Sequence, residues 1–170
     1  MSTLSVDTIQ GKTTAGTVAM PAGHIVQAVS FDRAGSLSPN DTASMFATLS
    51  SSTFVDIMSK AITTKLTNSK IFVSINVISY NGSGTLRVKT KVLRDSTQID
   101  GDQYGIYANQ GVMHPYVFSA IDSPSASAGT TITYKLQCAR TSGASTSHGI
   151  GYADSSGAST ANITLMEIAP

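Results

Sequence analysis

Alternation of apolar and polar residues at every second position is the feature that most constrains the fold of this chain. It is clearest between Lys70 and Ser79, where Ile71, Val73, Ile75 and Val77 all fall on one face. Successive side chains of a strand point to opposite faces of a sheet. This period therefore predicts a half-buried β-strand rather than an amphipathic helix.

The same period recurs along the chain from residue 24, between segments rich in Gly, Ser, Asn and Pro. The expected strands are 24–31, 53–58, 61–66, 70–79, 85–93, 104–107, 116–121, 130–138 and 162–168. Asn68–Ser69 and Asn81–Gly84 predict turns, and one short helix is expected from Thr42 to Leu49. Many short antiparallel strands separated by turns predict an all-β sandwich or jelly roll.

The first residues differ from this pattern. Gly11-Lys12-Thr13 looks like the end of a phosphate-binding loop, but Val6 stands where that motif needs glycine, and a Met-Pro pair follows instead of a helix. We therefore interpret residues 1–22 as an extended arm and residues 23–170 as a single head domain. The arm residues with candidate contacts are Leu4, Val6, Ile9, Lys12 and Val18.

Composition excludes several classes of function. A net charge of +1, with 12% charged residues, gives no strong field for binding nucleic acid or an anionic membrane. The sequence has no apolar run of membrane-spanning length and no basic-then-apolar leader, so neither membrane insertion nor secretory export is expected. The single cysteine, Cys138, falls in a strand pattern and is expected to be a small buried apolar residue.

The ionisable residues do not form a recognisable active site. The carboxylates are dispersed and fall mostly at turns; Asp95, Asp100 and Asp102 could bind Ca²⁺ but lack a regular ligand loop. The histidines, His24, His114 and His148, have no metal-ligand spacing, which leaves open only a metal on an oligomer axis. We therefore expect no enzyme activity, no cofactor and no metal within the chain.

Three groups of residues are candidates for surface contacts. Tyr104, Tyr107, His114 and Tyr116 form the one aromatic cluster that could bind a surface glycan, although packing of the tyrosines at the sandwich edge is the favoured alternative. The basic strand face of Arg87, Lys89 and Lys91 lacks interleaved aromatics for stacking bases, so it is expected to be solvated or to face another subunit. Phe72 and Ile78 are apolar residues off the main face, which predicts a subunit interface near them.

Several longer stretches carry a resemblance that extends over essentially the whole chain. They are "STLSVDTIQGKTTAGTVAMPAGHIVQ" (2–27), "SSSTFVDI" (50–57) with "ITTKLTNSKIFVSINV" (62–77), "IDSPSASAGTTITYKLQ" (121–137) and "STANITLMEIAP" (159–170). The chain resembles small tail-fibre-like structural proteins of marine bacteriophage virions, those of cyanophages among them. The front arm and the terminal "ITLMEI" are the most specific parts.

The resemblance implies a homotrimer on the virion surface, assembled in the host cytoplasm, with a head similar to the jelly roll of tumour necrosis factor and complement C1q. It implies that the arm attaches the head to other virion proteins, and that the head contacts host surface glycan or a receptor. It implies no catalytic residues. Because only Met20-Pro-Ala-Gly23 separates arm from head, with no shaft, the expected object is a short fibre or knob. A purely architectural role, as a capsid decoration or head-fibre protein or a tail adaptor, is the alternative.

Overall fold

The computed structural model describes residues 22–33, 53–81, 85–108, 113–142, 148–150 and 161–170, and the account below concerns these residues. They form nine strands: β1 (Ile25–Arg33), β2 (Val55–Thr63), β3 (Lys70–Asn81), β4 (Leu86–Arg94), β5 (Thr97–Ala108), β6 (Met113–Asp122), β7 (Thr131–Ser142), β8 (His148–Ile150) and β9 (Ala161–Ile168). The expected helix at 42–49 and the arm, with Leu4, Val6, Ile9, Lys12 and Val18, lie outside the described residues.

The strands form two antiparallel sheets that pack face to face. The first sheet has the order β1-β9-β3-β6, with β8 pairing to the far end of β3, and the second has the order β2-β7-β4-β5. The hydrogen-bonded pairs β1:β9, β2:β7, β3:β6 and β4:β5 nest one within the next along the chain. A long ribbon of nested antiparallel pairs, folded over on itself, is a jelly roll. The predicted antiparallel jelly-roll sandwich is confirmed.

The core lies between the sheets and is built from the alternation seen in the sequence. In β3, Ile71, Val73, Ile75 and Val77 are fully buried, while the intervening side chains face outward and are half-buried. In β7 the buried residues are Ile132, Tyr134, Leu136 and Cys138, as expected. Burying one such aliphatic side chain contributes about 1.5–3 kcal/mol, so this layer is the main source of stability.

Strand β2 corrects one expectation. The segments 53–58 and 61–66 were expected to be two strands, but a single strand crosses both. Its hydrogen bonds to β7 continue through Ser59 and Lys60, which lie opposite Lys135 and Tyr134. A bulge between Asp56 and Met58 shifts the register there, which hides the alternation in the sequence.

The strands on either side of residues 109–112 are longer than expected, for two local reasons. Strand β5 pairs to β4 with three register shifts, so its side chains do not follow a simple period of two. Strand β6 begins before Pro115, which is tolerated because β6 is the edge of its sheet and pairs only with β3. The three-residue strand β8 has no signal of its own in the sequence and was not expected.

Tight turns occur where the sequence offers residues that tolerate a positive φ. Asn68, in the expected turn before β3, has φ 60°, and Asp95, which begins the two-residue loop between β4 and β5, has φ 51°. Asparagine and aspartate adopt this left-handed conformation more readily than other non-glycine residues. The expected turn before β4 falls largely on residues 82–84, outside the described residues.

Candidate functional site

A buried carboxylate closes one end of the sandwich. Glu167 on β9 is fully buried, and it accepts hydrogen bonds from the backbone N–H groups of Lys65 and Leu66 at 2.9 Å and from the side-chain amide of Gln27 on β1. Burial opposes its ionisation, but these donors and the Ser69 hydroxyl outweigh burial and lower the pKa of Glu167. The ionised carboxylate therefore holds the loop after β2 against the other sheet.

A second polar group joins the sheets at the same level. Asp122, at the end of β6, accepts from Arg94 Nη1 at 2.9 Å and from the Tyr134 hydroxyl at 2.7 Å. Burial, followed by the bond to Asp122, raises the pKa of Tyr134 well above its usual range. Asp122 and Glu167 lie opposite Ile71 on its two sides, so both groups act at one end of the sandwich as structural links.

The outward surface of the first sheet has no charge over most of its width. We call this surface the uncharged face and define it by the outward side chains of β3, β6 and β9 between Phe72 and Ile78. Its members are Phe72, Ser74, Asn76, Ile78, Pro115, Val117, Ser119, Ile121, Asn162, Thr164 and Met166. Val117 and Ile121 are 65% and 60% exposed. Exposed apolar side chains grouped on one sheet mark a surface suited to contact with another protein.

Phe72 and Ile78, near which the sequence predicts a subunit interface, both lie on the uncharged face. Phe72 lies between Met166 of β9 and Ile121 of β6 in register, and Ile78 lies opposite Pro115. The structure adds β6 to this surface. The sequence of β6 indicates this, because the run from Tyr116 to Ile121 has apolar residues at both odd and even positions, and therefore on both faces of the strand.

The outward surface of the second sheet is basic by contrast. We call Arg87, Lys89 and Lys91 of β4, with Lys135 of β7, the basic face. This surface also carries the Asp56 carboxylate, which lies 3.4 Å from Lys135 Nζ and also accepts from the Gln137 amide.

Aromatic rings lie against two cations of the basic face. The Lys91 ammonium lies 4.1 Å from the ring centroid of Phe54, and the Arg87 guanidinium lies 5.4 Å from that of Tyr107. Such distances allow cation–π attraction. Strand β4 itself carries no aromatic residue; the rings come from Tyr107 on β5 and from Phe54, the residue before β2.

The predicted tyrosine cluster is divided between different parts of the sandwich. Tyr107 is 50% exposed on the outward side of β5. Tyr116 packs against the core and bonds to Thr90, and burial raises its pKa. His114 is half-buried on β6, where its backbone oxygen accepts from the Ser79 hydroxyl at 3.2 Å. Tyr104 lies on β5, and its side chain is outside the described part of the structure.

The remaining ionisable and apolar features of the described residues have structural surroundings. These residues contain no group of three or more His, Cys, Asp and Glu side chains that could hold a metal ion. The Asp95 carboxylate accepts the Thr133 N–H at 2.9 Å. Burial raises the pKa of the Cys138 thiol. Within the same ranges, no helix has the length and apolar character needed to cross a membrane.

No protein-family model matches this chain, and no curated protein matches it significantly. Solved structures do. The infectious bursal disease virus VP2 subviral particle matches with a TM-score of 0.51 and 8% identity, over 96% of this chain and 37% of that one. The structure of the Gx strain of infectious bursal disease virus matches with a TM-score of 0.50 and 8% identity, over 99% of this chain and 38% of that one. The chain therefore spans under two fifths of the length of these proteins, and at this identity it shares their fold.

Proposed function

We propose that this chain is a structural protein of a bacteriophage virion, a short trimeric tail fibre or knob that attaches the particle to its host. The observation that carries the proposal is the uncharged face. Monomeric soluble proteins carry charged side chains on exposed sheet surfaces, whereas subunit interfaces are depleted of charged residues at their centre. A jelly roll with one such face is suited to repeated assembly.

The arrangement of apolar residues on this face supports contact between copies. The side chains of Phe72, Met166 and Ile121 form one row across three strands, and Val117 lies further along β6. Burying one exposed valine or isoleucine contributes about 1.5–3 kcal/mol. Closed cyclic symmetry would bury the same row on every subunit without leaving an open surface, and a threefold axis suits a fibre head.

The arm and the head have different roles in this proposal. Residues 1–22, through Leu4, Val6, Ile9, Lys12 and Val18, attach the trimer to other virion proteins. The surface of the head away from the threefold axis then faces the host and contacts a glycan or a receptor. The head carries out no catalysis and needs no cofactor, and it neither binds nucleic acid nor inserts into a membrane.

A second candidate is a purely architectural role, as a capsid decoration or head-fibre protein or a tail adaptor. The likeness to a protein of a viral particle favours it, since that structure is of a subviral particle. Both candidates share the trimer and the virion location. They differ in whether the head meets the host.

Two measurements test the proposal. Light scattering of the purified protein at micromolar concentration should give a mass three times that of one 17.6 kDa chain. Electron microscopy of virions labelled with antibody to this protein should place the label at the tail for a fibre or over the capsid for a decoration protein. A single-chain mass, together with unlabelled virions, would reject both structural roles.

A further inference from the structure

We infer that the basic face binds an acidic polysaccharide, a sugar polymer bearing carboxylate, sulfate or phosphate groups. The inference deepens the proposed function, on which it rests only for the assignment of the polymer to a host surface. The chain as a whole is almost neutral, with a net charge of +1. A concentration of cations on one sheet surface is therefore a local property, and it makes the two outward surfaces of the sandwich differ in character.

The spacing of the cations fits a linear polyanion. Arg87, Lys89 and Lys91 occupy alternate positions of one strand and share its outward side. Alternate residues of a strand are about 7 Å apart, so the three cations form a row of about 13 Å. Lys135 on β7 lies opposite Leu93, which extends the row by one further position. A chain with regularly repeated negative groups can contact several of these cations at once.

The neighbouring aromatic rings hold two of the cations in place. Phe54 is half-buried and carries the Lys91 ammonium over its ring, and Tyr107 carries the Arg87 guanidinium. A long cationic side chain loses conformational entropy when it binds, and a side chain that is already positioned loses less. These contacts therefore indicate a pre-organised binding surface rather than a set of independently moving, solvated lysines.

The same contacts favour a polysaccharide over a nucleic acid. Proteins that hold single-stranded nucleic acid stack bases on open aromatic rings. Here each ring has a face covered by a cation. Besides the cations and the Asp56 carboxylate, which pairs with Lys135, this surface carries hydrogen-bonding groups, among them Gln137, Thr133 and the Thr141 hydroxyl, which lies 3.2 Å from the backbone oxygen of Arg87. A flat surface that offers both cations and hydrogen-bonding groups matches a polymer rich in hydroxyls and acidic groups.

The test uses the full-length protein and defined polymers. Binding of polygalacturonate, as a carboxylated chain, and of heparin, as a sulfated chain, is measured by calorimetry beside neutral dextran and duplex DNA. The protein should bind at least one acidic polysaccharide and not dextran, and its affinity should fall when the salt concentration rises from about 50 to about 200 mM, because exposed charges are screened. Binding of DNA more tightly than of either acidic polysaccharide would overturn the inference in favour of a nucleic acid.

Matched variants localise the binding. The double substitution Lys89→Gln and Lys91→Gln should weaken it by about tenfold, from the loss of two surface charge contacts. The control Lys65→Gln and Lys70→Gln removes the same charge from exposed positions away from the basic face and should leave the affinity unchanged. Equal weakening in both variants, or no binding of either polymer by the wild-type protein, would overturn the inference. If the protein formed trimers and entered virions but bound no acidic polymer, the binding inference would be rejected and the proposed structural role would stand.

Discussion

Arg94 and Asp122 join the two sheets of the jelly roll by a partly buried ion pair. The same guanidinium nitrogen, Nη1, lies 2.9 and 3.0 Å from the two carboxylate oxygens, and the carboxylate also accepts the Tyr134 hydroxyl. The side chains of Arg94 and Asp122 are 24% and 13% exposed. An ion pair so shielded from water is screened less by salt than a surface pair, and loss of one member leaves the other group without its partner.

Substitution Asp122→Ala should therefore lower the free energy of unfolding by about 2 kcal/mol, and Tyr134→Phe by about 1 kcal/mol. Urea denaturation at neutral pH measures both. The matched control is Asp56→Ala, because Asp56 pairs with Lys135 at 3.4 Å while its side chain is 54% exposed. Its effect should stay within about 0.5 kcal/mol. If the two aspartate variants were equally destabilised, the link between the sheets would contribute no more to stability than an exposed surface ion pair.

The buried carboxylate of Glu167 gives a second prediction. Glu167→Gln keeps the shape of the side chain but places an amide N–H₂ among the donors of Lys65, Leu66 and Gln27. Hydrogen bonds to a charged group contribute about 1.5–3 kcal/mol, so the variant should lose about 2–3 kcal/mol of unfolding free energy. Hydrogen exchange should also increase at the Lys65 and Leu66 amides. Unchanged protection of those two amides would contradict the assigned role.

The same residue predicts a pH dependence with a defined sign. The pKa of Glu167 is lower in the folded protein than in an unfolded chain, where a glutamate titrates near about 4.3. The stability that it contributes is therefore complete above that pH and is lost as the pH falls through the folded pKa. The difference in unfolding free energy between wild type and Glu167→Gln should be constant from about pH 7 to about pH 5 and should shrink below about pH 4. A difference that stays constant down to about pH 3 would show that Glu167 does not cause the loss of unfolding free energy at low pH.

Much of the fold was predictable because the core is formed by apolar residues at every second position, and this alternation is visible in the sequence. Ile71 to Val77 and Ile132 to Cys138 alternate without interruption, and every expected inward residue of these two runs is buried. The prediction was poorer where pairing is irregular. The bulge at Asp56 and the register shifts along β5 displace side chains from the simple alternation. The sequence therefore predicts two strands in place of β2 and a β5 that is too short.

The polar links and the basic face depend on contacts between distant parts of the chain, which a period does not encode. Glu167 bonds to groups more than 100 residues away, and nothing in "LMEIAP" distinguishes it from an exposed glutamate. Phe54, just before β2, and Lys91 on β4 meet across β7, because the sheet places these two strands on either side of β7. Local sequence therefore identified the cations of β4 but not the rings that hold them.

Deletion of residues 1–22 tests the division into arm and head. Among the described residues, which begin at residue 22, the buried core residues lie in the strands and at their ends, from residue 57 to residue 169. The truncated protein should therefore fold, with a thermal midpoint close to that of the full chain, and should form the same oligomer. Virions assembled with it should lack the protein. Loss of folding on truncation would place the arm within the core instead.

The uncharged face gives the last prediction, because assembly should fail when charge is placed on it. Ile121→Asp and Phe72→Asp introduce a carboxylate into a row of apolar side chains; the nearest charged side chain along β3 is Lys70, two positions before Phe72 at the exposed start of the strand. Buried without a partner in an interface, that charge costs several kcal/mol, whereas on a free surface it costs little. Light scattering should therefore give the mass of one 17.6 kDa chain for either variant, with the circular dichroism spectrum unchanged. The matched control is Ala61→Asp, an exposed outward position on β2 of the other sheet, which should keep the trimer. A trimer that survives both substitutions on the uncharged face would leave the symmetry in place but assign the interface to another surface, and dissociation by Ala61→Asp alone would assign it to the second sheet.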